Sequence, residues 1–467
     1  MSESEASGGL RRDLGPLQAY AALLGILIGA GIFKVTGQAW QLTGPSVILA
    51  YLVLAPPVLA TSVAYAVFLS TPLGREPGGE YTHIARTFGG HRIAFVGAWL
   101  KVISYLGALA YLAAALADYV IEIAAGSLDA SARTPLALLG LLLFYVVHAA
   151  GVRWFGRLQV IMCAFLGVSL LILIAPGLLA IRPENYRPFF TRGAVGFAAA
   201  LPPLFFAYAG FESLAQAAGE MKDSTSRLPG IFVKGILATA LIFLSISAVA
   251  LGVIPGERLA ASPAPMAEAA ASYLPAGAAW VVGLGAVMAI ATSVNATMLV
   301  PSRLAIILAR DGLAPRALAA LHPATGTPVV GLTITLALAS ALVATGQIDL
   351  ALNVSVLALV SLYLLHSLAL IVLPARNPHL FSQVRAPIPR WLQVGAGLLS
   401  AASMGCLILV QVTQDSSTIL GLGWRGRTAG TLTSLELVSA WGVIGLAVHW
   451  LGRRRSRPGR ENCTNHH

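Results

Sequence analysis

About a dozen stretches of roughly twenty predominantly apolar residues follow one another along the chain, separated by short polar connections. A hydrocarbon core about 30 Å thick is crossed by about twenty helical residues, so this repeated length is the strongest constraint on the fold. Lipid offers no partner to backbone N–H and C=O groups, which leaves helices or a closed barrel as spanning structures. The apolar runs are Leu, Ala, Val, Ile and Gly without the two-residue alternation of a membrane barrel. The expected fold class is an all-α polytopic membrane protein of about 12 transmembrane helices. The expected spans cover residues 15–40, 44–70, 84–125, 134–152, 155–181, 194–221, 231–254, 276–310, 327–345, 348–373, 391–413 and 431–452.

Composition agrees: 57% of the 467 residues are hydrophobic and only 10% charged. Most of the 30 Lys and Arg fall in alternate connections and at both ends, including Arg11, Arg12, Arg153, Arg157, Arg227, Arg310 and Arg453. The positive-inside rule then places both termini in the cytoplasm and explains the net charge of +11 without a nucleic-acid partner. A polar segment, Met1 to Gly9, precedes the first span with no small-residue cleavage site, so that span is expected to stay. Cys163, Cys406 and Cys463 have neither metal nor disulfide spacing, and no metal or cofactor is expected. No GxxxxGK[ST] run is present, so energy would come from gradients. Nor is there an HExxH run or a GxSxG turn for an intramembrane enzyme, or a repeated polar filter for a channel. Residues 255–275 hold Met266–Ala271 in helical alternation, either a surface lid helix or an ordinary loop.

The first span contains Gly25-Ile26-Leu27-Ile28-Gly29-Ala30-Gly31-Ile32-Phe33 and the sixth contains Phe205-Phe206-Ala207-Tyr208-Ala209-Gly210-Phe211-Glu212. Both look interrupted, and they occupy corresponding places five spans apart. A repeat of odd helix number inserts its second copy upside down, so spans 1–5 and 6–10 would form inverted repeats with two helices appended. Small residues also serve close helix packing, which is the alternative at each run.

These residues resemble the amino acid–polyamine–organocation (APC) permeases, which have the LeuT-type fold. Gly29-Ala30-Gly31-Ile32-Phe33 is similar to their G-[SA]-G-I-F signature. Further likenesses follow in order: Gly78-Gly79-Glu80-Tyr81 with Phe88-Gly89, then Trp99 and Tyr105, then Gly219-Glu220-Met221-Lys222 with Arg227-Leu228-Pro229. Arg303 with Ala309-Arg310-Asp311-Gly312-Leu313-Ala314-Pro315 and Thr327-Pro328 complete a series covering residues 12–375. The resemblance implies that the amides of Gly29, Ala30 and Gly31 take the substrate carboxylate. The carbonyls of Leu27, Phe206 and Ala209 would take its ammonium, and Phe206 would be the gate over bound substrate. Half-helix termini carry partial charges of the right signs for both contacts.

Proton-coupled relatives often carry a lysine in the fifth span, and the matching position here is Leu166, with Ser293 and Thr297 opposite it in the eighth. Leucine supplies neither a proton nor an oxygen ligand, so this cation site is expected to be degenerate. Two mechanisms remain: exchange or facilitated movement, which we favour, and proton coupling moved to Glu212. A carboxylate inside a span is costly and usually functional; the alternative for Glu212 is a hydrogen-bonded strut. Lys34 is expected to snorkel to water at the outer mouth of the first span; Lys101 is expected to snorkel or lie just inside the cytoplasmic face, with a buried pairing as the alternative. Tyr105, Tyr208, His148 and His366 are expected to be satisfied packing groups. Ser104 stands where cationic-substrate relatives often carry an acid, which favours a neutral substrate, and Ser224 replaces a common Pro in a connection.

The expected organisation is a cytoplasmic segment 1–14, a transport core 15–375, helices 11 and 12 over 376–452, and a basic tail 453–467. The expected function is a secondary amino-acid transporter of the cell membrane, with a small amino acid, the lipid bilayer and, in the alternative mechanism, a proton as partners. An amine or polyamine permease is the rival reading.

Overall fold

The computed structural model describes residues 14–76, 78–124, 126–216, 218–422 and 431–455. The expected segment at residues 1–13, most of the basic tail, and Cys463 lie outside them. Helices account for nearly all of it, in the order α1 (Pro16–Leu27), a π-helical turn (Gly31–Val35), α2 (Thr36–Thr43), α3 (Val47–Leu69), α4 (Glu80–Phe88), α5 (His91–Ile123), α6 (Arg133–Ala149) and α7 (Val152–Gly177). The second half runs α8 (Gly193–Tyr208), α9 (Ser213–Gln216), α10 (Ser224–Val253), α11 (Gly256–Ala261), α12 (Pro265–Ala271), α13 (Ala276–Arg310), α14 (Val329–Ala344), α15 (Ile348–Arg376), α16 (Pro378–Ser382), α17 (Arg390–Leu422) and α18 (Ser434–Arg455). Among the described residues there is no β-sheet, only an isolated bridge between Leu14 and Met221.

Nine helical stretches among the described residues are long and apolar enough to cross a membrane, the first of them running through both α1 and α3. Their outward faces carry Leu171, Ile161, Leu241 and Leu409, each about two-thirds exposed. A continuous apolar exterior of this kind is stable only against lipid. The protein is an all-helical integral membrane protein.

Helices α5 and α13 form the interior: α5 packs on α15 and α13, α13 also on α7 and α1, while α3 packs on α10 and α17. Their buried faces are rich in Ala, Gly and Ser, for example Gly107, Ala108, Ala110 and Ala113–Ala115 on α5. Small residues let backbones approach closely where no hydrophobic effect drives helices together.

Several expectations are corrected. The third span starts at His91 and not at residue 84, because Gly89 at φ 67° terminates the separate helix α4. The segment after α10 does hold a short helix, α12, but it is not a surface element: Met266, Ala269 and Ala270 are fully buried. Lys34 does not reach water freely; it pairs with Asp118, whose other oxygen lies 2.7 Å from Arg133 Nε. For Lys101 the alternative holds: it is wholly buried and paired, 2.6 Å from Glu80. Both lysines found partners because an unpaired ammonium among apolar neighbours is far costlier than a paired one.

Candidate substrate site

Both suspected interruptions are real breaks. Helix α1 ends at Leu27, where Ile28 leaves the helical basin with ψ 68°, and the chain resumes as a π-helical turn. Such turns leave backbone groups outside the regular ladder. In the sixth span α8 ends at Tyr208, Ala209 is extended at ψ 154°, and Gly210 takes φ 103°, a conformation that only glycine adopts cheaply. Pro202 and Pro203 two turns earlier already weaken the end of α8.

The two breaks lie against each other. A Cβ added to Gly31 would stand 2.2 Å from the Ala207 Cα and 2.9 Å from its nitrogen, so the backbones touch where glycine permits it. Beside this contact is a cavity bounded by Leu27, Ala30, Gly31, Phe206, Ala209 and Gly210 from the breaks. Ser104, Tyr105, Ala108 and Leu112 of α5, Ser293 and Thr297 of α13, and Ser355 and Leu359 of α15 complete it, with Ile26 and Glu212. They enclose about 400 Å³ of empty space, of which only about 30 Å³ admits the centre of a water molecule. The space is therefore narrow, with room for little more than a water molecule. Phe206 covers one side, edge-on to the Tyr111 ring at 5.3 Å.

Of the residues singled out in the sequence, Leu27, Ala30, Gly31, Phe206, Ala209, Glu212, Ser293 and Thr297 all line this one cavity. Gly29 sits behind it: a Cβ there would fall 1.8 Å from Ser293 Oγ. Leu166 is buried on α7 but is not part of the lining.

Glu212 is fully buried, and both its oxygens accept hydrogen bonds. Tyr105 OH donates to Oε1 at 2.6 Å, the Gly210 amide donates to Oε2 at 3.0 Å, and Tyr363 OH also donates to Oε2. Charge-assisted bonds of this kind are the strong ones. They tie the second break to α5 and α15, which is the geometry of a strut.

At the first break the hydroxyl of Ser293 donates to the carbonyls of Gly25 at 3.0 Å and Ile26 at 3.1 Å, and Thr292 donates to Gly25 at 2.8 Å. Behind them Gln159 Nε2 reaches Ala21 O and Thr292 O, while Asn295 Nδ2 donates to Gln159 Oε1 at 2.7 Å. Cys163 Sγ also meets Ala21 O at 3.1 Å, and His148 Nε2 bonds the Asn295 carbonyl, so both are packing groups with partners.

Sequence reasoning missed Tyr363, Ser355, Gln159 and Asp118, and used Glu80 and Arg303 only as motif letters. Each is a polar residue in or beside an apolar run, which is the available signal; which partner it meets depends on helices far apart in sequence.

A profile of the amino acid permease family matches residues 14–419. The chain is similar to the branched-chain amino acid permease BcaP of Bacillus subtilis, 28% identical over 470 residues, covering 96% of this chain and 94% of that one. It is 24% identical over 418 residues to the methylthioribose transporter of the same organism, covering 85% and 89%. With the chloroplastic cationic amino acid transporter 9 of Arabidopsis thaliana it shares 28% identity over 341 residues, 68% of this chain and 59% of that one. A family match running from Leu14 through both helix breaks and on into α17 settles the assignment: the chain belongs to the amino acid permeases of the APC superfamily, and is a membrane transporter and not an enzyme.

Proposed function

We propose that the protein is a secondary transporter for neutral amino acids of aliphatic character, working by alternating access and by exchange or facilitated movement. The observation that carries this reading is the meeting of two broken helices at one small cavity. The amides of Ala30 and Gly31 at the cavity and of Gly29 behind it would suit a carboxylate, and the carbonyls of Leu27, Phe206 and Ala209 an ammonium, without any charged side chain. The rest of the wall is Ala108, Leu112, Leu359 and Phe206 with the hydroxyls of Ser104 and Ser355. Among the described lining residues the only carboxylate, Glu212, already accepts three hydrogen bonds. A cationic side chain therefore finds no free partner here.

Within this reading the twelve helical spans form LeuT-type inverted repeats, α1 to α7 and α8 to α15, with α17 and α18 appended. The transport core is 15–375, the added pair 376–452, and the ends 1–14 and 453–467 are cytoplasmic. The Leu14 end of the bundle then faces the cytoplasm, and Phe206 closes the opposite, outer path. The reading of Leu166, Ser293 and Thr297 as a degenerate cation site is supported by the Ser293 hydroxyl, which already donates to the carbonyls of Gly25 and Ile26.

The test is uptake of labelled amino acids into proteoliposomes, empty or preloaded with unlabelled substrate, with and without proton or sodium gradients. Uptake confined to preloaded vesicles is expected. Concentrative uptake driven by a proton gradient would overturn exchange and move coupling to Glu212. Retained binding of an amine that lacks the carboxylate would overturn the amino-acid reading in favour of an amine or polyamine permease.

A further inference from the structure

Beneath the cavity, towards the Leu14 end, lies a polar cluster that the substrate site does not use. Glu80 of α4 is buried and accepts from Lys101 of α5 at 2.6 Å, from Tyr65 of α3 at 2.5 Å, and from Gln216 of α9 at 3.0 Å. Gln216, itself fully buried, donates also to the Gly78 carbonyl at 2.9 Å. Gly78 and Gly79 adopt φ 108° and 49°, and a Cβ on Gly79 would stand 2.8 Å from Gln216 Nε2. The Gly78-Gly79 turn is thus folded directly onto the Gln216 amide.

What distinguishes this cluster from ordinary packing is where Gln216 sits. It belongs to a four-residue helix that follows the break at Gly210, too short to hold itself. The chain beyond it is joined by backbone bonds to the start of α1: Leu14 N to Glu220 O at 3.0 Å and Lys222 N to Leu14 O at 3.1 Å. The two stretches nearest each break therefore form one unit at this end. Opening the cavity here means moving that unit, and side-chain ties fasten it to the remainder. The tie next below the cavity is Gln216 to Glu80. Its other amide atom, Gln216 Oε1, is buried and finds no partner among the described residues.

We propose that Glu80, paired with Lys101, is the positioning residue that fastens the segment after the second break, and that release of Gln216 from it opens the cavity towards the Leu14 end. The inference rests on the alternating-access reading above. Lys101 is not part of the cavity lining; it holds Glu80 in place through the 2.6 Å pair, and pairing is what makes two such groups tolerable in an apolar setting.

The experiment uses the full chain in proteoliposomes with Cys163, Cys406 and Cys463 replaced by serine and a reporter cysteine at the cavity wall, Ala108→Cys. A membrane-impermeant methanethiosulfonate is applied from one face at a time. Gln216→Leu and the unbranched Gln216→Met each remove the tie and leave the Glu80 pair with Lys101, whereas Tyr65→Phe removes a donor to the other Glu80 oxygen and keeps the tie. Each Gln216 variant is expected to speed modification from the Leu14 face and slow it from the opposite face, by about three- to tenfold, the ratio one buried hydrogen bond is worth, and Tyr65→Phe to leave the facial preference unchanged. In the Gln216 variants KM for uptake from the opposite face rises by a similar factor, because fewer molecules present the site there. A folded Gln216 variant that loses uptake with its facial preference unchanged overturns the proposal, since a packing role predicts that outcome. The transport reading itself fails separately, if substrate does not protect the reporter when Gln216 and Tyr65 are intact.

Discussion

Ser293 donates its hydroxyl to the carbonyl of Ile26 across the first helix break, at 3.1 Å. With its bond to Gly25 and that of Thr292, this hydroxyl already donates to carbonyl oxygens of α1. Under the proposed degenerate cation site, these hydroxyl protons would stand in place of a cation bound between α1 and α13. We therefore expect uptake by preloaded vesicles to be unchanged when all sodium is replaced by potassium. Sodium-dependent uptake, abolished by Ser293→Ala, would show instead that the hydroxyl turns to ligate an ion.

The glycines at the first break differ in what surrounds them. At Gly31 a new Cβ meets backbone atoms of Ala207, which no side-chain rotation can relieve. At Gly29 it meets chiefly the Ser293 Oγ. Gly31→Ala should thus force the two breaks apart, with a stability loss of about 1–3 kcal/mol and loss of substrate binding. Gly29→Ala should be milder, and Gly29→Ala with Ser293→Ala should recover part of its binding. Equal effects of the two single substitutions, measured by thermal melting and ligand protection, would contradict this.

Glu212 receives three donors, and an amide in its place has only one oxygen to receive them. At least one of Tyr105, Tyr363 and the Gly210 amide then loses its acceptor, a cost of about 1–3 kcal/mol for a buried group. For a strut, Glu212→Gln should depress exchange and gradient-driven movement by the same factor. Loss of proton-driven uptake with exchange intact would identify it as a coupling residue.

The broken spans were legible because glycine clusters inside apolar runs have few other uses, and the residues around both breaks did converge on one cavity. What was not legible is pairing over distance. Lys34 and Lys101 look in the sequence like residues that snorkel, and nothing local announces Asp118, 84 residues away, or Glu80, 21 residues away. Similarly, Glu212, Gln216 and Glu220 recur at every fourth position after the break, yet each meets a different helix: α5 and α15, α4, and α13. The spacing is visible in the sequence. The partners are set by how the helices stack.

The last member of that series gives a test of stability alone. Arg303 Nε lies 2.9 Å from Glu220 Oε1 and Nη2 lies 3.4 Å from Oε2, with both side chains almost wholly out of solvent. Arg303 also donates to Ser302 Oγ at 3.1 Å. In such a setting neither charge tolerates the loss of the other: breaking a buried pair by removing one partner costs about 3–5 kcal/mol, whereas replacing both by apolar groups is often neutral. Arg303→Met should therefore cut the yield of monodisperse protein and lower the melting temperature sharply. Arg303→Met with Glu220→Leu should restore most of both, since the backbone bond from Leu14 to Glu220 does not involve the side chain. If the double substitution is as unstable as the single one, the pair contributes more than mutual charge compensation, and Glu220 must hold the Leu14 end in place through its carboxylate.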